Sequence, residues 1–315
     1  MNRRNFLIRA AGLAAVAGGA WWARDHLLWP RPTLAFAEAG ATPWLPYARQ
    51  AEVPTVRATV GGREVVALID SGAQYSVIDR DLFAELPGQE RSLFDMPLVA
   101  YGVGGGSQVG RGVTLDVTLP GLAIGGLRAA ILDLGPLASE GGLRTPLILG
   151  QDVLARAVLA LDPGRRHVRL VTREAFVRPP DMRSAVVRRS GGAMISEVTV
   201  EGSILNAVID TGASSLLSLD RASASAAGLL DGRPQSGGVS LVLGGAVRAM
   251  VVEARTVTFA DQLYHRAPVG VFDQPPLPNF PGALVGMAAF EGRRAALDLG
   301  AGTLHVSQAL DLTVG

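Results

Sequence analysis

Residues 57–73 read RATVGGREVVALIDSGA, and residues 197–213 read EVTVEGSILNAVIDTGA. The second stretch repeats the first at an offset of 140 residues. Identical residues occupy Val60 and Val200, Gly62 and Gly202, Ala67 and Ala207, Ile69 and Ile209, and Asp70 and Asp210. In each stretch two apolar-rich runs flank a glycine-containing turn, which predicts a β-hairpin that ends on an aspartate. The repeat therefore predicts a duplicated, mostly β unit.

The repeat continues downstream of the hairpins. Its further matched segments are Gly104-Gly105 with Gly244-Gly245, Leu147–Gly150 with Ala283–Gly286, and Ala160–Asp162 with Ala296–Asp298. These matches keep their order over about 110 residues, so we interpret the chain as two homologous lobes. The predicted boundaries are 53–172 for lobe 1, 173–192 for a linker and 193–309 for lobe 2.

Smaller features of lobe 1 can also be predicted. Asp79 has the side chain of a helix N-cap, so a short helix is expected over residues 79–86. A helical turn is expected after Gly150, where Asp152 would cap the turn or face solvent.

The aspartate that ends each hairpin begins a tetrapeptide of the same type. The two tetrapeptides are Asp70-Ser71-Gly72-Ala73 and Asp210-Thr211-Gly212-Ala213. A strand of this kind brings its carboxyl to the floor of a cleft, and the glycine permits a tight turn with N–H groups facing the acid. The hydroxyl of Ser71 or Thr211 can bond across to the opposing loop. Two adjacent carboxyls cannot both ionise readily, so they would share a proton and act as general base and general acid.

These tetrapeptides resemble the catalytic loops of retropepsin-like and pepsin-like aspartic proteases. The apolar-apolar-glycine segments Ile148–Gly150 and Leu284–Gly286 resemble the strand that threads beside each loop in that fold, and the alanine after each glycine favours the retropepsin form. The resemblance implies a mostly β, bilobal, pseudo-twofold acid-protease fold of two closed barrels with a cleft between them. It also implies that Asp70 and Asp210 are catalytic, that one chain suffices as a monomer, and that no metal or cofactor is needed.

Two glycine-rich tips resemble the flaps that close over a peptide in such proteases. They contain Tyr101, Gly102, Val103, Gly104 and Gly105 in the first copy, and Gly244 and Gly245 in the second. A glycine-rich hairpin tip can bend and approach a substrate backbone closely. The second copy has no equivalent of Tyr101, so the sequence leaves open whether one flap works or two.

The composition excludes several other function classes. The chain has no cysteine, which rules out disulfides, thiolate metal sites and cysteine nucleophiles. The four histidines have no metal-ligand spacing, so no metal site is predicted. Without residues 1–37 the chain has 24 basic and 27 acidic residues, a net charge of −3, which argues against a nucleic-acid partner.

The N-terminus resembles a twin-arginine export signal. Arg3-Arg4 precede Phe6-Leu7 and an apolar run over residues 10–23, which is short for a membrane span. A small-x-small site ends at Ala37, so cleavage before Glu38 is expected, followed by a tether over residues 38–52. An uncleaved anchor at the inner membrane is the alternative. Either way the lobes are expected in the periplasm or outside the cell.

The sequence thus predicts an aspartic endopeptidase that acts on peptides or proteins in the bacterial envelope. A catalytically silent pseudoprotease that binds extended peptides in the same cleft is the alternative. A processing enzyme restricted to one partner is also open, since sequence does not reveal the substrate.

Overall fold

The structure is a computed structural model that describes residues 30–88, 93–101, 107–139, 143–242, 245–272 and 282–309. Nearly all regular structure in these ranges is β, arranged as one sheet in each lobe and a third sheet between them. The predicted mostly β, bilobal class is therefore confirmed.

Lobe 1 contains an eight-stranded sheet. Its strands are β1 (Thr33–Phe36), β3 (Thr55–Val60), β4 (Arg63–Ile69), β5 (Ser76–Asp79), β6 (Leu93–Tyr101), β7 (Ser107–Leu119), β8 (Leu122–Leu132) and β9 (Leu147–Leu149). The spatial order is β1-β8-β5-β9-β4-β3-β7-β6, and pairing of β7 with β8 closes six of the strands into a barrel. The β3–β4 turn has positive φ at Gly61 and Gly62, as expected for the predicted hairpin.

Lobe 2 repeats this barrel. Its strands are β13 (Val187–Ser190), β14 (Ala193–Val200), β15 (Ser203–Ile209), β16 (Leu217–Asp220), β17 (Gln235–Val242), β18 (Gly245–Phe259), β19 (Gln262–Phe272) and β20 (Ala283–Val285). The order is β13-β14-β15-β20-β16-β19-β18-β17, and pairing of β14 with β18 closes it. From β14 to β20 the strand order equals that from β3 to β9, so the duplication extends to topology.

A six-stranded sheet joins the lobes. Its strands are β2 (Leu45–Pro46), β10 (Val158–Asp162), β11 (His167–Val171), β12 (Met182–Ala185), β21 (Ala295–Asp298) and β22 (Thr303–Ser307), in the order β12-β22-β21-β10-β11-β2. Ala160 pairs with Ala296, its own counterpart in the repeat. A residue that pairs with its own counterpart lies on a local twofold axis, so the axis passes through the centre of this sheet.

The outer strands of this sheet come from segments that the sequence assigned to the tether and the linker. Leu45 pairs with Val168, and Ala185 pairs with Leu304, at equivalent positions of the two copies. Thr42 is buried, and its N–H donates to the Leu170 carbonyl over 2.9 Å. Both segments are thus integral to the fold. Main-chain pairing to a sheet edge holds both segments in place. Their apolar runs are too short for the sequence to predict these strands.

Short helices follow β5, β9 and β16. They are α1 (Arg80–Glu85), α2 (Gln151–Leu154) and α3 (Arg221–Ala226), with 3₁₀ turns at Gly135–Leu137, Pro163–Arg165 and Met287–Phe290. The Asp79 side chain accepts from Asp81 N over 3.0 Å, which confirms the predicted N-cap. Asp220 has the same role for α3. Among the described residues, no helix is both long and apolar enough to cross a membrane.

Candidate active site

The two aspartates lie at equivalent strand ends near the pseudo-twofold axis. Asp70 follows β4, and its N–H donates to the Leu149 carbonyl of β9 over 3.0 Å. Asp210 follows β15, and its N–H donates to the Val285 carbonyl of β20 over 2.8 Å. Parallel pairing with β9 and β20 thus fixes the position of each acid.

Four reciprocal hydrogen bonds join the two Asp-containing loops. Thr211 Oγ1 accepts from Ser71 N over 2.9 Å and donates to the Ile69 carbonyl over 2.7 Å. Ser71 Oγ accepts from Thr211 N over 3.0 Å and donates to the Ile209 carbonyl over 2.9 Å. Both hydroxyl residues are at most 1% exposed. Each loop therefore supplies the polar partners of the other, and neither is satisfied alone.

The glycine of each loop allows the opposite acid to approach. A Cβ on Gly72 would lie 2.6 Å from Cγ of Asp210, and a Cβ on Gly212 would lie 2.7 Å from Cγ of Asp70. Both distances are far below van der Waals contact. The pattern requires glycine here because a carboxyl from the other lobe occupies the space of the missing side chain.

A second pair of glycines lets β9 and β20 pass beside the loops. A Cβ on Gly150 would lie 2.7 Å from the Ala73 carbonyl oxygen, and a Cβ on Gly286 would lie 2.5 Å from the Ala213 carbonyl oxygen. The strand-glycine segments that the sequence singled out therefore lie directly against the Asp-Ser-Gly-Ala and Asp-Thr-Gly-Ala loops.

The two carboxyls lie close together, each against the glycine of the other's loop. Burial raises the pKa of Asp70, while hydrogen bonds from Asp210, Ala73 N and Gly72 N oppose the rise. Burial and the neighbouring charge of Asp70 raise the pKa of Asp210 well above its ordinary value. Two carboxyls so close cannot both ionise readily, so the pair holds one proton over a broad pH range.

The family model described as aspartyl protease matches residues 56–153 and 196–289. The chain belongs to the aspartyl protease family. The two matches fall in lobe 1 and lobe 2 respectively, so the tandem retropepsin-like organisation is confirmed. A comparison with curated proteins finds no match.

Part of the packing behind the first Asp-containing loop does not follow from the sequence. Asp152 was expected to cap its own turn or face solvent. Besides accepting from Val153 N, its carboxylate accepts from Ser76 N over 3.1 Å and Ser76 Oγ over 2.7 Å. Neighbouring Gln151 donates to the Ser71 carbonyl. The signal available in sequence was the difference between the copies, since Gln151 aligns with Met287.

The predicted flaps fall mostly outside the described residues. Gly102, Val103, Gly104, Gly105 and Gly244 lie outside them. Tyr101 ends β6, where its backbone pairs with Ser107, and Gly245 begins β18, where it pairs with Val242. These pairings are consistent with two hairpins, but the role of the tips in substrate binding stays a prediction.

Metal-ligating side chains show no clustering in the part of the chain that the structure describes: no three of them lie together. The prediction of a cofactor-free site rests on the chemistry of the paired carboxyls, which needs no further group.

Proposed function

We propose that this protein is an aspartic endopeptidase in which Asp70 and Asp210 activate a water molecule between them. The observation that carries the proposal is the close approach of two carboxyls, each packed against the glycine of the opposite loop, where hydrogen bonds of Ser71 and Thr211 join the two loops. Such a pair provides an ionised base and a protonated acid at the same place.

Asp70 and Asp210 together supply and take up every proton that the reaction moves. Ionised Asp70 takes a proton from the water, whose oxygen adds to the peptide carbonyl carbon, while Asp210 donates its proton to the carbonyl oxygen. The resulting gem-diol breaks its C–N bond as Asp70 returns a proton to the nitrogen and Asp210 takes one from a hydroxyl. The products are a carboxylic acid and an amine, and the pair again holds one proton.

An extended peptide is the substrate class that best fits this arrangement. The two lobes meet at the acids and the predicted flap hairpins are glycine-rich, so a peptide could pair with them in strand fashion. The active unit is one chain, because the repeat supplies both acids.

The test is cleavage of a mixed peptide library by the purified full chain from acidic to neutral pH. Asp70→Asn and Asp210→Asn should each abolish cleavage. Asp162→Asn is the matched control, because Asp162 caps a 3₁₀ turn at the end of β10 and an asparagine can keep that cap. Cleavage that survives in both catalytic-loop variants would reject the proposed mechanism. Peptide binding without cleavage by the wild type would favour the pseudoprotease.

We also propose that the protein acts in the bacterial envelope and keeps its N-terminal segment as an anchor. Residues 33–36 form β1, which pairs with residues 122–125 of β8, and Ala37 N donates to the Gly121 carbonyl over 3.0 Å. Cleavage before Glu38 would remove this strand from lobe 1. These contacts favour the anchor over the cleaved signal.

The size of the protein recovered from fractionated bacterial cells tests the anchor. We expect the full-length mass in the membrane fraction, and retention in the cytoplasm after Arg3→Lys with Arg4→Lys. A periplasmic product that begins at Glu38 would contradict the anchor and leave export in place.

A further inference from the structure

Gln151 and Met287 occupy equivalent positions behind the two catalytic loops but differ in chemistry. Their backbone N–H groups make the same contact, since Gln151 N donates to the Ala73 carbonyl over 2.9 Å and Met287 N to the Ala213 carbonyl over 2.8 Å. The side chains break the symmetry, because glutamine carries two N–H donors and methionine carries none.

The Gln151 amide is buried and held in place. Its Nε2 donates to the Ser71 carbonyl over 2.8 Å, and the residue is 8% exposed. Its Oε1 lies against Gly192 in the β13–β14 turn, where a Cβ would come within 2.7 Å of it. Because the carbonyl of Ser71 can only accept, the amide must present its nitrogen to this loop.

The bond from Gln151 acts on Asp70 through one peptide unit. The Ser71 carbonyl and the Gly72 N–H belong to the same peptide group, and Gly72 N donates to Asp70 Oδ1 over 2.8 Å. A hydrogen bond accepted by a carbonyl polarises its peptide group and strengthens the donor at the other end. The chain from Gln151 through this peptide to Asp70 therefore stabilises a negative charge on Asp70.

The second loop has the corresponding peptide without the glutamine. Gly212 N donates to Asp210 Oδ1 over 2.8 Å, the same length as in the first loop. Met287 cannot donate to the Thr211 carbonyl at the equivalent position. The two acids thus have similar direct donors but differ in the support behind them.

We propose that Gln151 is a positioning residue that makes Asp70 the charged member of the pair and leaves the shared proton on Asp210. The inference deepens the proposed function, on which its consequence for catalysis rests. The bond from Gln151 would explain why Asp70 acts as the general base and Asp210 as the general acid.

Burial raises the pKa of both acids, and the N–H groups of each loop oppose the rise at its own acid. The direct donors thus act alike in the two loops, which differ in the amide donor that Gln151 provides and Met287 lacks.

The other titratable groups on the surrounding elements are few. Asp152 of α2 is hydrogen-bonded to Ser76, and Arg189 of β13 donates to the Gly300 carbonyl over 2.8 Å. Tyr75 lies in the segment between the first catalytic loop and β5. None of these three groups is among the main causes of the raised pKa values of Asp70 and Asp210.

The experiment compares Gln151→Met, which copies the second loop, with Met287→Leu as a packing control that changes no donor. The first readout is the pH profile of kcat/KM of the full chain. Gln151→Met should raise the lower apparent pKa of this profile, its acid limb, by about half a pH unit. The ionised form of Asp70 is then less stabilised, because the Ser71 carbonyl loses its hydrogen bond from Gln151. Met287→Leu should leave that limb in place even if it lowers Tm.

The second readout is the ¹³C titration of the aspartate carboxyls, with the two signals assigned by Asp70→Asn and Asp210→Asn. It does not require activity, so it tests the inference even if the proposed peptidase function fails. In the wild type Asp70 should ionise at the lower pH, and Gln151→Met should narrow the separation between the two titrations. A lower Tm with unchanged titrations in Gln151→Met would overturn the inference and reduce Gln151 to a packing residue.

Discussion

Thr211→Val should strongly destabilise the junction between the lobes. Thr211 is fully buried, and its hydroxyl accepts from Ser71 N over 2.9 Å and donates to the Ile69 carbonyl over 2.7 Å. Valine keeps the shape of the side chain but leaves both of these backbone groups without that partner. Each buried group left unsatisfied costs about 1–3 kcal/mol, so we expect a loss of about 3 kcal/mol.

The matched control is Thr211→Ser, which keeps the hydroxyl and removes one methyl group. Its expected cost is about 1 kcal/mol, from the lost burial of that methyl. The free energy of unfolding would be measured by reversible urea denaturation followed by circular dichroism. The difference between the two variants isolates the hydrogen bonds from the packing.

Catalysis should follow the same order as stability. Without the Thr211 bonds the loops are no longer locked together, so kcat should fall in Thr211→Val while Thr211→Ser stays close to the wild type. If the valine variant were within about 1 kcal/mol of the serine variant, the bonds would not hold the lobes together as argued.

Three further predictions follow from individual contacts. Gly72→Ala should abolish peptidase activity while lowering Tm only modestly, since the new Cβ would press on the carboxyl of Asp210. Full activity in this variant would contradict the close approach of Asp210 to Gly72. Asp210→Asn should be more stable than the wild type at neutral pH. Because the pKa of Asp210 is raised in the folded protein, the stability of the wild type falls as pH rises above 3.8, the pKa in the unfolded chain. Urea denaturation at several pH values should show the advantage of the variant vanish below pH 3.8, and a difference in unfolding free energy that does not change with pH would argue against the raised pKa. Arg173→Gln should cost about 1 kcal/mol in the same assay, after allowance for the partial exposure of Arg173, since Arg173 donates to both oxygens of Asp298 over 2.6 and 2.7 Å. Burial raises the pKa of Asp298, but the bond from Arg173 and the other hydrogen bonds outweigh this effect and lower the pKa below 3.8. The stability that the ion pair contributes is therefore lost as pH falls through the lowered pKa, and the cost of Arg173→Gln should shrink there. An equal cost at low pH would exclude the ion pair as its cause.

The duplicated hairpin was readable because its constraints are local. Strand, glycine turn, strand and aspartate lie within 17 consecutive residues of each copy, and apolar patterning fixes which face is buried. The glycines at 72 and 212 were readable for the same reason, although the sequence explained them by turn geometry. The structure adds a different cause, which is the carboxyl of the other lobe.

The two outer strands of the interlobe sheet, β2 and β12, could not be predicted from the sequence. β2 has two residues and β12 has four, and neither has a periodic apolar pattern of useful length. They are held by backbone pairing to β11 and β22, which does not depend on side-chain identity. The sequence therefore suggested a tether and a linker where the chain forms part of the interlobe sheet.

Repeats and short-range patterns are visible in a linear sequence, so the duplication, the mostly β class and the two Asp-containing loops could be predicted from it. The hydrogen bonds that lock the loops together, and the different contacts behind the two loops, could not. The bonds from Thr211 to Ile69 and from Gln151 to Ser71 join residues 80 or more positions apart. Such contacts follow from the folding of the whole chain, since a hydroxyl or an amide has no preferred distant partner until the barrels are formed.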